Sequence, residues 1–323
     1  MSVGVATSAC GGGGSGDLDG GLGRDAADGD GGAVVDAPAD GATPPIDAPA
    51  ATSGCGRVPG ANDRTWTVTS GGRDRTFRVH LPTGYSPTTP TPVVVNFHGR
   101  NSTSQQQALL SGMNGFADGH GFIAVHPDGV GQTWNGGLCC GEAQTANVDD
   151  VGFTRALLDK LDAELCVDPD RVFATGLSNG GFMVHRLACE LADRIAAVAA
   201  VAGPNGAPTC SPARPIAVLH FHGDADMVVP YDGIAGQLAV RPTMTAWAQR
   251  DGCGPTSTVD LRAGEVTCEQ WPGCQAGSAV RLCTIAGGGH QWPGGLTIPG
   301  LGHNTTDISA TAAMWDFFVA HPR

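Results

Sequence analysis

Five short stretches of this chain, at 92–97, 122–125, 172–177, 195–202 and 215–221, are nearly unbroken runs of apolar, small or β-branched residues. Runs of that length are too short for helices and predict strands buried on both faces. A sixth, more polar run at 280–285 predicts one more strand. Residues 65–69 and 76–81 instead alternate around Ser70-Gly71-Gly72, which predicts an antiparallel pair joined by a tight turn. Residues 259–271 predict a second hairpin. Helix-compatible segments lie at 104–117, 151–165, 182–191, 243–250 and 308–319. Asp149 or Asp150 starts the second of these, where a carboxylate favours the positive helix end, and both are read as structural. The last carries Ala312, Trp315, Phe318 and Val319 on one face, with Thr306 or Asp307 as its cap. Strands and helices alternating in this way predict an α/β fold with a doubly wound, mostly parallel sheet and helices on both faces.

Composition divides the chain near Cys55. Residues 11–54 are almost entirely Gly, Ala, Asp and Pro, without an aromatic, and hold too little apolar surface to offset the entropy of ordering. They predict a linker ahead of one domain at residues 55–323. The linker's one Arg and eight Asp account for seven of the thirteen net negative charges. What remains is moderately acidic with no basic cluster, which argues against nucleic acid or an anionic membrane as partner. No stretch is long and apolar enough to cross a membrane. Residues 1–10 end in Thr7-Ser8-Ala9-Cys10, loosely like a lipoprotein cleavage site, but lack the basic and apolar parts of an export signal. Two readings stand: the natural start lies upstream and a lipidated Cys10 tethers the protein to a membrane, or Cys10 is incidental.

Ten of the eleven cysteines lie from Cys55 onward. An even number spread over a domain predicts disulfides and an oxidising compartment. Cysteine spacing does not suit a zinc cluster, and no metal is expected. Cys139 and Cys140 are expected to bond to different partners. Cα atoms joined by a trans peptide are about 3.8 Å apart, whereas ordinary disulfides need about 4.4 Å or more.

The chemistry gathers at strand ends. The run at 172–177 enters Gly176-Leu177-Ser178-Asn179-Gly180, and a helix-forming segment leaves it. A Gly-x-Ser-x-Gly turn between strand and helix exposes the serine hydroxyl on a strained backbone. The motif alone is weak in a chain with 50 glycines, and its strand and helix context carries it. A serine hydroxyl needs an imidazole to take its proton and a carboxylate to orient that imidazole. Asp224 and Asp226 leave the strand at 215–221 together. His290 follows the strand at 280–285 in Gly287-Gly288-Gly289-His290. Ser178, Asp226 and His290 thus stand in the chain order Ser, Asp, His, each in a loop after a strand. His303 is the second-ranked candidate base, since no strand precedes it. His98, His220 and His222 also lie near strand ends. With no third ligand evident they are read as hydrogen-bonded core residues rather than a metal site. Trp134 in the loop Trp134-Asn135-Gly136-Gly137-Leu138-Cys139-Cys140-Gly141 either covers the core or walls a substrate cleft.

Taken together, Gly176 to Phe182, His222-Gly223-Asp224-Ala225-Asp226, Gly289-His290-Gln291-Trp292-Pro293-Gly294-Gly295 and the Trp134 to Gly141 loop resemble one known family. It is the secreted α/β-hydrolase esterases that include polyhydroxybutyrate depolymerase-like proteins and feruloyl or acetylxylan esterases. The similarity covers about residues 56–321. It implies Ser178 as nucleophile, Asp226 rather than Asp224 as carboxylate, and His290 as base. It also implies oxyanion donors at the backbone N–H groups of Asn179 and Arg100. No cofactor is expected. The expected substrate is a carboxylic ester, with feruloyl or acetyl groups on xylan favoured over polyhydroxybutyrate. No separate binding module for a solid surface follows the domain, and Trp134 and Trp292 are expected to offer flat faces to an aromatic acyl group or a sugar. The competing readings are a polyester depolymerase, an inactive hydrolase fold serving as a surface binding protein, and a serine peptidase, for which no cap or propeller domain is visible.

Overall fold

The structure, a computed structural model, describes residues 52–233 and 239–323. The expected export segment with Cys10, and the expected linker up to residue 51, lie outside the described residues. In chain order the strands are β1 (Asp63–Ser70), β2 (Arg73–His80), β3 (Thr91–Phe97), β4 (Ile123–Pro127), β5 (Val167–Leu177), β6 (Ala197–Val201), β7 (Ala217–Gly223), β8 (Thr258–Ala263), β9 (Val266–Trp271) and β10 (Val280–Ile285). The helices are α1 (Ser104–Ser111), α2 (Met113–His120), α3 (Glu142–Thr145), α4 (Asp150–Glu164), α5 (Asn179–Glu190), α6 (Val240–Arg250) and α7 (Ala310–Ala320).

All ten strands join one sheet in the order β1-β2-β4-β3-β5-β6-β7-β10-β9-β8. The six central strands, β4 to β10 in that order, run parallel. The β1–β2 and β8–β9 hairpins add antiparallel strands at the two edges. The hydrophobic pattern explains the placement. β3, β4, β6 and β7 are buried along their whole length, whereas β1 alternates with every second residue exposed. Alternate side chains of β3 feed two cores: Val93, Val95 and Phe97 pack with Phe153, Leu157 and Met183 of α4 and α5, and Val94 packs on the opposite face with Met113 of α2 and Met314 of α7. Helices therefore cover both faces of a doubly wound, mostly parallel sheet, which is the α/β-hydrolase architecture.

Four details differ from expectation. The segment expected as one helix over 104–117 is two, because Gly112 at φ 63° ends α1 in a left-handed turn and redirects the chain into α2. The cap of α7 is Ser309, whose hydroxyl accepts from the Ala312 N–H, while Asp307 accepts from the backbone N–H of Glu265. Packed structure begins before Cys55: the Thr52 hydroxyl donates to the Leu165 carbonyl at 2.9 Å and accepts from the Val167 N–H at 3.0 Å. Cys55–Cys166 then fastens this segment to the start of β5.

The fourth difference concerns the vicinal cysteines. The pairs are Cys55–Cys166, Cys139–Cys140, Cys189–Cys210, Cys253–Cys274 and Cys268–Cys283. Cys139 and Cys140 are bonded to each other, contrary to expectation. The expectation assumed a trans peptide, but the bond between them is cis and their Cα atoms lie 3.1 Å apart.

One buried carboxyl gives the domain a predictable pH response. Burial, the largest influence on Asp251 at the end of α6, raises it from an ordinary 3.8 to about 6, against the hydrogen bond from the Ile216 N–H. A carboxyl whose folded pKa is raised holds its proton more tightly when folded. Its contribution to stability is fully present below pH 3.8 and is lost as pH rises through about 6. Asp251→Asn, neutral throughout, is therefore expected to melt higher than wild type near pH 8, with an advantage that shrinks on lowering pH from about 6 to about 4. A melting difference constant across that window contradicts the account.

Candidate active site

β5 ends at Leu177, α5 begins at Asn179, and Ser178 makes the turn between them at φ 57°, ψ −119°. A positive φ is unfavourable for a serine and persists only where the surroundings impose it. Here the imposition is close packing: any side chain at Gly180 would collide with the Phe97 carbonyl oxygen, so only glycine lets the start of α5 approach the end of β3. The Ser178 N–H donates to the Val201 carbonyl at 2.8 Å, tying the turn to β6. Ser178 is half-buried and lines a cleft of about 710 Å³, together with Arg100, Cys139, Val229, His290 and Leu296.

The carboxylate and the imidazole come from neighbouring parallel strands. β7 and β10 pair in a register that ends at Gly223 opposite Ile285, so the loops that follow leave the sheet side by side. His290 Nδ1 and Asp226 Oδ2 are 2.7 Å apart, with both residues buried. The other oxygen of Asp226 accepts from the backbone N–H groups of Val228 and Val229, each at 2.8 Å. Burial is the largest single influence on this carboxyl and works to raise its pKa. The nearby His222, the hydrogen bond and charge of His290 and the Val229 N–H together outweigh it and hold Asp226 below the usual carboxylate range. It stays ionised.

The rivals are occupied elsewhere. Asp224 is exposed and accepts from the Gly287 N–H at 2.6 Å, so it ties the two loops together instead of facing His290. His303 Nε2 lies 2.7 Å from Glu265 on the surface.

Arg100 is exposed on the cleft wall just after β3, and Asn179 opens α5. His98 acts on the first of these positions. Its Nε2 accepts from the Gly129 N–H at 3.0 Å, which leaves Nδ1 to donate to the Gly99 carbonyl at 2.7 Å. Pinning that carbonyl fixes the plane of the peptide whose N–H belongs to Arg100. Burial, the largest influence, lowers the pKa of His98 and keeps the ring neutral for this task.

The two tryptophans require a correction. Trp134 and Trp292 are both 0% exposed and neither lines the cleft. The Trp134 indole N–H donates to the His98 carbonyl at 2.9 Å and its ring stands edge-on to Phe97. The Trp292 indole donates to the Thr311 hydroxyl at 3.0 Å, against α7. Each spends its ring on core packing and its N–H on an internal partner, so neither offers a face to a ligand. What the loop presents to the cleft instead is the Cys139–Cys140 disulfide. The Asn179 side chain holds the loop in place, accepting from the Trp134 N–H at 2.6 Å and donating to the Trp134 carbonyl at 2.9 Å. From the other side, the buried Asp150 accepts from the Asn135 N–H and pairs with Arg75, each at 2.8 Å. The double role of Asn179 and the buried role of Asp150 escape sequence reasoning, because both depend on a loop distant in sequence. Among the described residues no cluster of His, Cys, Asp or Glu has the arrangement of a metal site.

A family profile described as "Putative esterase" matches residues 69–257, more than half of the chain. The chain belongs to the putative esterase family. Feruloyl esterase B of Piromyces equi is 35% identical over 230 residues, which are 66% of this esterase and 42% of that protein's length. Feruloyl esterase C of Emericella nidulans is 30% identical over 87% of this chain and 95% of its own. Among solved structures, an acetyl xylan esterase from Aspergillus awamori superposes with a TM-score of 0.57 at 14% identity, covering 80% of this chain and 99% of that one. At that identity the likeness speaks for the α/β-hydrolase fold alone.

The cleft disulfide is directly measurable. Alkylation of the denatured, unreduced esterase is expected to label none of the ten cysteines from Cys55 onward. The proteolytic peptide holding Cys139 and Cys140 should run two hydrogens lighter than its dithiol form, with no second peptide attached. A free thiol at either position, or a bridge from either to another segment, refutes the pairing.

Proposed function

We propose that this esterase cleaves carboxylic esters through an acyl-enzyme, with Ser178 as nucleophile, His290 as general base and Asp226 as its orienting carboxylate. The observation that carries this is the 2.7 Å hydrogen bond between buried Asp226 and His290 at the edge of the cleft that Ser178 lines. In the proposed first step Ser178 Oγ attacks the ester carbonyl while His290 Nε2 takes its proton. Asp226 holds the Nδ1–H side of the ring and stabilises the imidazolium. The backbone N–H groups of Asn179 and Arg100 hold the oxyanion, the second aimed by the hydrogen bond from His98 to Gly99. His290 then protonates the leaving alcohol. Water, activated by the same base, releases the acid. No metal or organic cofactor takes part in this scheme.

We infer that the preferred substrates are feruloyl or acetyl esters linked to plant polysaccharide such as xylan. The feruloyl esterases of Piromyces equi and Emericella nidulans support this. The cleft supports it too: Leu109, Leu110, Leu296 and Ile298 form an apolar wall, and Asn101, Ser102 and Gln106 supply polar groups. With Trp134 and Trp292 buried, an aromatic acyl group would pack on aliphatic side chains and on the vicinal disulfide. The volume of about 710 Å³ is in the range of small-molecule sites, roughly 300–1,000 Å³. A second reading, cleavage of a short-chain polyester such as polyhydroxybutyrate, is favoured by the exposure of Leu109, Val228 and Leu296 at the cleft. Five disulfides suit an oxidising compartment outside the cell.

A fluorophosphonate probe is expected to label Ser178, which an inactive surface binding protein would not allow. Ser178→Ala should lower kcat by about 10⁴-fold or more with the fold intact. Asp226→Asn should cost far more activity than Asp224→Asn, and equal losses would overturn the assignment. On a panel of methyl ferulate, acetylated xylan, p-nitrophenyl acetate and polyhydroxybutyrate film, the first three should be hydrolysed and the film left uncleared. The reverse selectivity replaces the polysaccharide reading with the polyester one.

A further inference from the structure

Three buried histidines form a chain that reaches the same Asp226 oxygen as His290 and that the proposed reaction does not use. The Trp247 indole N–H of α6 donates to His185 Nδ1 on α5 at 3.1 Å. His185 Nε2 lies 3.1 Å from His220 Nδ1 on β7, and His220 Nε2 lies 3.0 Å from His222 Nδ1, two residues along the same strand. His222 Nε2 lies 2.8 Å from the Val229 carbonyl and 3.4 Å from Asp226 Oδ2. Trp247, His185 and His220 are 0% exposed and His222 is 1% exposed, so every partner is protein.

The polarity of this chain is fixed at both ends. An indole nitrogen can only donate and a carbonyl can only accept, while a neutral imidazole has one donor and one acceptor. Trp247 therefore makes His185 Nδ1 an acceptor, which leaves its Nε2–H to donate to His220. The same step repeats to His222, whose Nε2–H ends on the Val229 carbonyl, with Asp226 Oδ2 3.4 Å away. The far end independently demands the same tautomer. A proton added to any of the three rings would set one N–H against another, so the geometry admits only neutral rings. Burial, the main influence on both, works in the same direction, lowering His185 to about 3 and His220 well below its ordinary value.

We propose that the Trp247–His185–His220–His222 chain positions Asp226: it holds His222 as a neutral donor to the Val229 carbonyl and a neutral neighbour of the carboxylate, so that the Val229 peptide, whose N–H binds Asp226, keeps its place and Asp226 keeps its orientation and its charge for His290. This rests on the triad reading. Val229 is clamped twice, its N–H on Asp226 Oδ1 and its carbonyl under His222. A positively charged His222 would pair with Asp226 and compete with the imidazolium of His290, and the chain forbids that state. His222 touches no reacting atom and is a positioning residue. The arrangement also couples α5, which Ser178 caps, to the loop that carries the carboxylate.

Two measurements on the full chain test this. In the wild-type protein with ¹⁵N-labelled imidazoles, His185, His220 and His222 should all be neutral Nε2–H tautomers, and a charged or Nδ1–H His222 overturns the proposal. Kinetics with p-nitrophenyl acetate supply the second. His222→Leu should lower kcat by about 10²-fold with KM nearly unchanged, and should displace or abolish the low-field proton resonance of the His290–Asp226 hydrogen bond. His222→Gln, which places an amide N–H near the Nε2 position, should recover most of the loss. A folded His222→Leu enzyme with wild-type kcat and resonance overturns the proposal, as does a Gln variant that recovers nothing. If the Leu variant does not fold, the wild-type tautomers and the Gln variant decide. Asp226→Asn separates the two levels: full activity in that variant removes the triad reading and this inference with it, whereas an inactive Asp226→Asn beside a fully active His222→Leu removes this inference alone.

Discussion

The site depends on one close approach, that of the first turn of α5 to the ends of β3 and β6. It is possible because Gly180 presents no side chain to the Phe97 carbonyl and Gly181 none to the Val201 carbonyl. With the helix seated there, the chain must reverse within one residue, and Ser178 takes the positive φ that the reversal demands. The same seating buries Asn179 completely, and its side chain becomes the clamp on the Trp134 backbone. One steric allowance therefore sets the conformation of Ser178 and also the position of the loop that walls the cleft.

The carboxylate and imidazole follow from parallel pairing. Adjacent parallel strands end on the same side of a sheet, and β7 and β10 release their loops at Gly223 and Ile285 in register. Asp224, the residue nearest the strand, is consumed in joining the two loops. Asp226, two residues on, turns inward, where the Val228 and Val229 N–H groups fix its outer oxygen and leave the inner one for His290. Neighbouring carboxylates of equal sequence promise thus have different work because one faces water and the other faces protein.

Sequence pattern located what depends on local composition. Continuous apolar runs became the buried strands β3, β4, β6 and β7, and the alternating pair became the β1–β2 edge. The chain order of Ser178, Asp226 and His290 was equally legible, since each residue follows a recognisable strand. What escaped was set by distant contacts. Sequence left Trp134 open between core and cleft wall and read Trp292 as a cleft face, because the partners that bury them, Phe97 and His98 for one and α7 for the other, lie far along the chain. The Cys139–Cys140 bond was hidden by the assumption of a trans peptide. His220 and His222 stand two apart on β7 and so share one face of it, but nothing local to them announces His185 or Trp247.

The buried polar groups share a common physical purpose. The loops around the cleft have left the sheet, so their peptide groups lack ladder partners, and a buried peptide group without a partner is costly. Each loop is supplied with partners from the scaffold. His98 serves Gly99 and Gly129, Asn179 serves Trp134, Asp150 and Arg186 serve Asn135, and His222 serves Val229. An apolar core of the same volume could pack against these loops but could not orient their peptides. Most of the polar groups are kept neutral or paired: the histidines by burial and by their partners, and Asp150 by Arg75. Asp226 is the exception. It remains ionised because several donors converge on it, which leaves a fixed negative charge beside His290.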